Sequence, residues 1–488
     1  METTRTEGYS ARSMLVPLAL AQFIASYAAT NMNVAVTAIA NDLGTDVHGV
    51  QIAITLFTLT MAALMVPGSK LTDILGRKPC FRIGLAVYGA GAVIAAFAPG
   101  LGVLIFGYSA LEGIGSALMI PPIYILVTVL THDVATRGRA FGVVSGAAGI
   151  GSAAGPLIGG LVTTGISWRA SFILQAAVVL VIIIMARRIA DTRPDHRPRF
   201  DVLGAVLSAV GLFFVVLGIL QSGTYGWFRS RQDFAIGSVV VIPKGGISPV
   251  WLFVAVGAII LAWFFLHIRN RERAGKEPLL VTHLFRNRTA NLGLVTQNVQ
   301  WLIMQGAFFV ISVFLQEVRH YNAIQTGLIL TPATAGILVS SALAGRMAAR
   351  RTQRLLVRVG FVVTLGGMVL LLLLANATSS LFLFAPGLLL MGLGVGIMLT
   401  ASVNVVQSAF PENEQGEISG LSRSVSNLGS SLGTAIVGSV LVASATIGNA
   451  AFFAALLTCV IIGLIGLGAA LLLPPGPRPA KEPAPASP

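Results

Sequence analysis

Fourteen apolar segments, each long enough to cross a lipid bilayer, most strongly constrain this chain. A helix needs about 20 residues to span the hydrocarbon core. Hydrophobic residues make up 55% of the sequence and charged residues 10%, against roughly 45–50% and about 25% in soluble domains. The sequence therefore predicts an all-α integral membrane protein with fourteen spans, centred near Ala25, Thr60, Ala90, Leu118, Ala153, Val179, Leu212, Ile259, Met304, Ala333, Thr364, Leu393, Leu432 and Leu464.

The distribution of Lys and Arg predicts the orientation of these spans. With both termini cytoplasmic, the cytoplasmic segments carry 26 Lys and Arg residues and the outer loops carry 5, as the positive-inside rule requires. The net charge of +14 is spread over short loops, which favours contact with anionic lipid headgroups over nucleic acid. Cys80 and Cys459 fit neither a disulfide framework nor a metal site.

Two polar linkers, after spans six and eight, predict a division into three parts. A weak repeat, "GSKLTDILGRK" after span two and "LAGRMAARRTQR" after span ten, indicates related six-helix halves. In the longest outer loop, "FAIGSVVVIPKGG" predicts a short β-hairpin. We expect a six-helix bundle at 1–190, a linker with two extra helices at 191–275, a second six-helix bundle at 276–475 and a disordered cytoplasmic tail at 476–488.

The segment "GSAAGPLIGG" in span five places small residues on successive helical turns, which allows a neighbouring helix to approach closely. A proline in the same segment is expected to bend the helix. By itself the pattern also fits helix packing without any further role. The residues concerned are Gly151, Gly155, Pro156, Gly159 and Gly160.

Taken with "KLTDILGRK" between spans two and three, this segment resembles the signature motifs of the major facilitator superfamily. Further segments resemble the fourteen-span drug:proton antiporter branch of that family: "NMNVAVTAIANDLG", "SWRASFI", "RFDVLGAVLSAVGL", "QSGTYGW" and "GLSRSVSNLGSSLGTAI". The resemblance implies alternating access, in which two halves rock about a central cavity and export amphiphilic compounds in exchange for protons. It implies no cofactor.

The sequence departs from the branch at residues to which proton coupling is assigned. Ala28 stands where the first span usually carries an acid, and Thr37 replaces the usual proline. In span four, Ser109 occupies the position of the usual arginine and Glu112 that of a glutamine. Two coupling residues are therefore missing, and one new acid stands nearby.

Glu112 is the only one of the 18 acidic residues placed near the middle of a span. It lies roughly 12 residues, or about 18 Å, from the outer end. An ionised carboxylate at that depth is costly, so we expect the side chain to face the bundle interior or a watery cavity. Two roles remain open: Glu112 binds a proton or a cationic substrate during transport, or it is a permanently protonated group that bonds helices together.

A substrate cavity is predicted from polar and aromatic side chains that recur at helical spacing. Amide and aromatic groups on one face suit planar amphiphiles, although interhelical hydrogen bonding explains the same pattern. In span four, Pro121 and Pro122 are expected to interrupt the helix as a hinge or a kink. The candidates are Gln22, Ser26, Thr30 and Asn33 with Thr37 in span one, Tyr108 and Ser109 in span four, and Gln297, Trp301, Gln305 and Phe308 in span nine.

A latch between the two halves is predicted on the cytoplasmic side. Asp73 ends span two, and span thirteen begins on the same side with its positive helix end and Arg423 close by. Gly76 permits a tight turn after Asp73. Arg77 and Lys78 either bridge helices and lipid phosphates or serve only to orient the chain.

The leading functional prediction is a monomeric exporter in the bacterial cytoplasmic membrane that drives hydrophobic or cationic amphiphilic drugs outward with the proton gradient. The alternative is an exporter of lipids or lipid-like metabolites with weak or atypical proton coupling, which Ala28 and Ser109 favour. An intramembrane enzyme is disfavoured because Glu112 has no acidic companion and the six histidines lie in loops or near helix ends. A nucleotide-binding loop of the G-x-x-x-x-G-K-[ST] type is absent from the sequence, which argues against direct hydrolysis.

Overall fold

The computed structural model describes residues 11–130, 134–187, 189, 199–236, 239–411, 414–443 and 448–474. Fourteen helices in this part of the chain are long and apolar enough to cross a membrane, as predicted. The expected linker residues 191–198 and the tail 476–488 lie outside the described residues. The division into six, two and six spans and the sidedness of the termini stay predictions, and the predicted orientation is used below.

The spans are numbered in chain order, and several consist of more than one helical piece. Span one is the helix Ala11–Asn31 with a 3₁₀ turn Met32–Val34, followed by the short helix Val36–Asp42, and span four joins Leu101–Leu104, a π-helix Ile105–Glu112 and Gly113–Leu130. The other spans are Val47–Leu75, Arg77–Ala96, Val134–Gly165, Trp168–Ala186, Val202–Leu220, Pro249–Arg273, Arg288–Val313 with a π-helix Phe314–Val318, Ala323–Arg350, Gln353–Leu374, Phe384–Gln407, Gln415–Val442 and Asn449–Leu471. Short helices at Ser222–Tyr225, Thr282–Arg286 and Leu381–Leu383 lie in the connections.

Polar residues just before several spans fix where the helices begin. The Asp46 carboxylate accepts a 2.8 Å hydrogen bond from the Gly49 backbone N–H at the start of span two. Asn322 and Gln325 form a reciprocal capping box at the start of span ten. Because the first backbone N–H groups of a helix have no partner within it, these caps stabilise the outer ends of the spans.

The outer loop between spans seven and eight contains the predicted β-hairpin. Strands β1 (Phe234–Ile236) and β2 (Val239–Ile242) pair antiparallel, with Phe234 opposite Ile242 and Ile236 opposite Val239. The Arg231 guanidinium donates a 2.6 Å hydrogen bond to the backbone oxygen of Ala443. This contact attaches the loop to the outer end of span thirteen.

The helix Gly113–Leu130 of span four contains both Pro121 and Pro122, so the hinge or kink expected there stays a prediction. A departure from α-helical geometry lies before them, in the π-helix Ile105–Glu112. A π-helix widens the hydrogen-bonding pattern by one residue and is frequent at functional sites. It ends at the buried acid of this span.

Glycines allow several spans to approach at backbone distance. Span five lies against span one, where a Cβ on Gly151 would stand 2.3 Å from the backbone oxygen of Phe23. Near its outer end the same helix meets span ten, where a Cβ on Gly160 would stand 2.5 Å from the backbone oxygen of Ala323. Gly155 and Gly159 lie against Thr30 and Asn31, so the small residues of the span-five segment line two helix contacts.

Spans seven and eight pack against each other and against the body of the protein at their cytoplasmic ends. A second apolar cluster joins residues of both helices, such as Leu207 and Phe264, to Val66 of span two, Leu294 of span nine and Ile418 of span thirteen. Asp201 caps span seven and also binds His267 of span eight at 2.9 Å. The pair of helices thus contacts both the first six and the last six spans.

Candidate functional site

Glu112 is completely buried at the end of the π-helix in span four. Its backbone N–H faces span three, because a Cβ on Gly91 would stand 2.8 Å from the Glu112 nitrogen. Among the described residues, neither carboxyl oxygen of Glu112 has a hydrogen-bond partner. A buried polar group without a partner is costly, so this position is not explained by packing alone.

The surroundings of Glu112 are polar groups of spans one, three and six. Tyr88 is the polar side chain next to the carboxyl. Its hydroxyl donates a 2.6 Å hydrogen bond to Gln175 Oε1 and not to Glu112. Close by, Tyr27 and Ser171 share a hydrogen bond of 2.7 Å between their hydroxyls. Glu112 therefore lies inside the bundle of the first six spans. The sequence reasoning missed Tyr88 and Gln175, although a polar side chain within an apolar span is a signal of function.

Two of the positions that depart from the family pattern also lie inside this bundle. Ala28 is fully buried, and its backbone oxygen accepts a 3.2 Å hydrogen bond from the Tyr108 hydroxyl. The Tyr108 ring stacks on Phe57 at 4.6 Å between centroids. Ser109 donates a 2.7 Å hydrogen bond to the backbone oxygen of Ala53. The structure thus places Tyr108 and Ser109, both predicted cavity residues, in contacts between spans one, two and four.

A second group of predicted residues lies between the first six and the last six spans. The Gln22 side chain contacts Ser26 and the hydroxyl of Tyr124, each at 3.4 Å. The Tyr124 hydroxyl also accepts a hydrogen bond from the Arg423 guanidinium, whose Cζ lies 4.9 Å from the ring centroid. Gln305 of span nine donates a 3.3 Å hydrogen bond to the backbone oxygen of Ala29. We call Gln22, Ser26, Tyr124, Gln305 and Arg423 the interface group.

Thr30 and Gln297, two further predicted cavity residues, make their hydrogen bonds within their own halves. Thr30 donates a 3.1 Å hydrogen bond to the backbone oxygen of Ser152 in span five, so it faces a neighbouring helix. Gln297 donates to Ser426 at 2.7 Å and accepts from Ser422 at 2.9 Å, both in span thirteen. Phe308 is buried, and Trp301 is half-buried. Their role in a substrate cavity stays a prediction.

On the cytoplasmic side, the ion pair between the halves is made by residues that the sequence reasoning did not single out. Lys70 of span two pairs with Glu417 of span thirteen at 2.5 Å. In the described part of the chain, Asp73 forms no ion pair with Arg423, which binds Tyr124 instead. Gly76 joins spans two and three at a φ of 98° and Arg77 begins span three, so the predicted tight turn is present.

The outer side is closed by contacts at two irregular pieces of helix. The 3₁₀ turn at the end of span one faces the π-helix at the end of span nine. Gln316 accepts a 3.1 Å hydrogen bond from the backbone N–H of Thr37 and donates one of 3.2 Å to the backbone oxygen of Asn33. The Thr37 hydroxyl donates to Glu317 at 3.1 Å. Asn33 itself is fully buried.

No cluster of three or more His, Cys, Asp or Glu side chains that could hold a metal ion occurs among the described residues. The site therefore consists of one buried carboxyl inside the first bundle, a neutral polar group with one arginine between the halves, and contacts that close each end.

Comparison with known proteins identifies the family. The family model described as Major Facilitator Superfamily matches residues 18–229 and 202–434. Multidrug resistance protein Stp of Mycobacterium tuberculosis (strain CDC 1551 / Oshkosh) is 27% identical over 88% of this chain and 75% of its own length. Puromycin resistance protein pur8 of Streptomyces alboniger is 28% identical over 87% and 81%, and the methylenomycin A resistance protein of Bacillus subtilis (strain 168) is 27% identical over 91% and 90%.

Among solved structures, the fold is similar to that of the peptide transporter POT in complex with sulfate. The TM-score is 0.66 with 16% sequence identity, and the match covers 94% of both chains. At that identity the likeness concerns the fold alone. Together with the fourteen spans and the family match, it leads to one conclusion: the chain is a multi-pass transporter of the bacterial cytoplasmic membrane and belongs to the major facilitator superfamily.

Proposed function

We propose that this protein exports amphiphilic drugs or antibiotics from the cell and drives the export with the inward movement of protons. The relatives named for multidrug, puromycin and methylenomycin A resistance support the substrate class. The single observation that carries the proton coupling is Glu112, a completely buried carboxyl at mid-span without a hydrogen-bond partner among the described residues. A group in that environment changes its free energy strongly when it gains or loses a proton.

Alternating access follows from the contacts at the two ends of the molecule. On the outer side, Gln316 and Glu317 hold span nine to the end of span one. On the cytoplasmic side, Lys70–Glu417 and Arg423–Tyr124 hold span thirteen to spans two and four. Each set consists of a few hydrogen bonds and ion pairs, which two rocking halves can break and remake in turn.

The interface group supplies the substrate path in this proposal. Gln22, Ser26 and Gln305 present neutral hydrogen-bonding groups, and Tyr124 adds an aromatic ring. Amide and hydroxyl groups pair with varied polar substituents, while a ring stacks on planar molecules. Such a path accommodates chemically different amphiphiles.

The test is uptake of ethidium, a fluorescent cationic dye, into inverted membrane vesicles energised by a proton gradient. We expect uptake by wild type and its loss in Glu112→Gln expressed to the same level, because the amide keeps the shape and cannot carry the proton. Asp233→Asn in the outer loop is the matched acid-to-amide control, since the asparagine oxygen still accepts the hydrogen bond from Lys244. Equal uptake by wild type and Glu112→Gln would exclude coupling through Glu112.

Export of lipids or lipid-like metabolites is the second candidate. The observation that favours it is the neutral, fully buried Ala28, at the position where the resemblance implies an acid. Without an acid there, span one supplies no carboxylate for a cationic substrate. The test uses vesicles that contain the wild-type protein. Transfer of a fluorescent phospholipid without a proton gradient, together with no uptake of ethidium, would favour this function over drug export.

A further inference from the structure

A line of buried polar side chains runs through the interior of the first six spans. Each of its members is at most 3% exposed, and they belong to spans one, three, four and six. We call this line the polar column, and it consists of Asn31, Tyr27, Ser171, Gln175, Tyr88 and Glu112. Hydrogen bonds join Asn31 and Tyr27 to Ser171 and join Tyr88 to Gln175.

The outer end of the column lies at the start of span six. Trp168 donates a 3.0 Å hydrogen bond to Asp42, and Arg169 pairs with the same carboxylate at the outer surface. One turn further in, the Ser171 hydroxyl lies 2.9 Å from Asn31 Nδ2 and 2.7 Å from the Tyr27 hydroxyl. Ser171 thus lies in span six just below the charged pair at the surface and contacts two side chains of span one.

The inner end of the column is Glu112. Gln175 follows Ser171 by one helical turn and accepts the 2.6 Å hydrogen bond of the Tyr88 hydroxyl. The single hydrogen of the Tyr88 hydroxyl goes to Gln175. With that bond in place, the hydroxyl oxygen can only accept a hydrogen bond from a protonated Glu112. Gln175 thus acts as a positioning residue for Tyr88.

Unpaired polar atoms occur along the whole line. Among the described residues, buried atoms without a hydrogen-bond partner include Asn31 Oδ1, Gln175 Nε2, both carboxyl oxygens of Glu112, and Ser116 Oγ one turn toward the cytoplasm. Buried polar atoms are normally satisfied, and water is the usual partner where protein groups are lacking. The donors and acceptors along the column are therefore suited to bind a file of water molecules between the outer surface and Glu112.

The column is separate from the interface group. The hydrogen bonds of Gln22, Tyr124, Gln305 and Arg423 go to spans one, four and thirteen, between the halves. In the described part of the chain, the hydrogen bonds of Gln22, Gln305 and Arg423 do not involve Tyr88, Gln175 or Glu112. The groups proposed for the substrate therefore lie between the halves, whereas the polar column lies inside the first six spans.

We infer that protons reach Glu112 from the outer side through this polar column and not through the substrate path. One proton enters past Ser171 and passes by way of water and the Tyr88 hydroxyl. It converts the Glu112 carboxylate into the carboxylic acid, and it leaves toward the cytoplasm past Ser116. Coupling to the substrate is then conformational, since the two do not compete for one carboxylate. The inference rests on the proposed proton-driven export.

The experiment uses the purified full-length protein in proteoliposomes with ethidium as the probe, and it compares two activities. Gradient-driven transport requires a proton to enter and leave Glu112 in every cycle. Exchange of labelled for unlabelled ethidium at equal pH requires only the substrate path. We expect Tyr88→Phe and Gln175→Leu to lower gradient-driven transport at least about tenfold at alkaline outer pH, with recovery as that side is acidified, while exchange stays at the wild-type rate.

Thr458→Val, a change on the exposed side of span fourteen, is the control that leaves both activities unchanged. Parallel loss of transport and exchange in Tyr88→Phe, Gln175→Leu and the milder Ser171→Ala would make the column structural and overturn the inference. Wild-type behaviour of all three would do the same. If the proton gradient drives ethidium transport equally in wild type and in the variants, only the proton route through the column is excluded. If wild type exchanges ethidium but shows no gradient-driven transport, both the proposed proton coupling and the proton route through the column are excluded.

Discussion

Lys70 and Glu417 form an ion pair of 2.5 Å that connects span two to span thirteen at the cytoplasmic side. Both side chains are partly exposed, at 20% and 27%, so the pair contributes only about 1 kcal/mol or less. Beside this pair the two helices approach closely. A Cβ on Gly420, one turn after Glu417, would stand 3.3 Å from the Cβ of Ser69, the residue before Lys70. A weak ion pair thus marks a contact that a rocking motion must open.

A disulfide at this contact is expected to stop transport. Disulfides need Cβ atoms about 3.5–4.5 Å apart, which Ser69→Cys with Gly420→Cys provides after a small adjustment. Oxidation of the double variant should abolish dye transport, and a reductant should restore it, because the cross-link fixes spans two and thirteen. Each single variant is the control, and the native Cys80 and Cys459 are buried. Full transport by the cross-linked protein would show that this contact stays closed throughout the cycle.

Gly160 and Gly149 lie on the same helix and provide a matched pair of substitutions. An added methyl at Gly160 meets the backbone oxygen of Ala323 at 2.5 Å, whereas one at Gly149 meets no atom within 4 Å. We expect Gly160→Ala to destabilise the contact between spans five and ten by about 1–3 kcal/mol, and Gly149→Ala to leave it unchanged. Thermal unfolding of the purified variants, with dye transport beside it, measures both effects. Equal unfolding midpoints would contradict the close approach.

The spans were predictable because the apolar runs must match the thickness of the bilayer, whatever the neighbouring helices do. The hairpin was predictable from a β-branched run with nearby turn residues. The π-helix at Ile105–Glu112 was not. It lies where span four packs against Gly91 and Ala95 of span three, and the sequence of span four alone does not show that contact.

The candidate site was predictable in Glu112 and in part of the interface group, namely Gln22, Ser26, Gln305 and Arg423. Glu112 stood out because a carboxyl at mid-span is costly in any packing arrangement. Tyr88 and Gln175, which are hydrogen-bonded to each other, lie 24 residues before and 63 residues after Glu112 in the chain, so no spacing rule connects the three. The latch was placed on Asp73 and Arg423 from charge alone, whereas the rotation of span thirteen presents Glu417 to Lys70 and Arg423 to Tyr124.

Asp201 ties the extra pair of helices together, and its removal is expected to destabilise them. Oδ1 accepts hydrogen bonds from the Gly204 backbone and His267 at 3.1 and 2.9 Å, and Oδ2 accepts one from the Leu279 backbone at 3.2 Å. Asp201→Asn turns one acceptor into a donor that faces other donors, which costs about 1–3 kcal/mol. Thermal unfolding at neutral pH measures the loss, with Asp233→Asn as the control.

The Asp201 carboxylate is also expected to make the stability of the protein depend on pH. Burial of Asp201 raises its pKa, but the hydrogen bonds from His267 and Gly204 and the charges of His267 and Arg271 outweigh burial and hold the pKa below the ordinary 3.8. The stabilisation is therefore present above pH 3.8 and is lost as the pH falls through the lower, folded-state pKa. Acidification below pH 3.8 should lower the unfolding temperature of wild type more than that of Asp201→Asn. Parallel curves would exclude this contribution.

Tyr124 and Arg423 make the cytoplasmic contact between spans four and thirteen in two ways that substitutions can separate. The guanidinium donates to the hydroxyl and lies over the ring, with Cζ 4.9 Å from the centroid. Tyr124→Phe removes a hydrogen bond to a charged group, worth about 1.5–3 kcal/mol, and keeps a cation–π contact of about 0.5–2 kcal/mol. Tyr124→Leu removes both.

Loss of this contact should open the path toward the cytoplasm more often. A cysteine at Ser26, which lies next to Gln22 in the interface group, should react with a membrane-impermeant thiol reagent from the cytoplasmic side. We expect labelling on the order of tenfold faster in Tyr124→Phe, since about 1.4 kcal/mol corresponds to a factor of ten, and faster still in Tyr124→Leu. The reference protein is the single variant Ser26→Cys, which keeps Tyr124. Its labelling rate is the basis for comparison, because the native Cys80 and Cys459 are buried. Identical rates in all three proteins would mean that Arg423 and Tyr124 do not control access to the path.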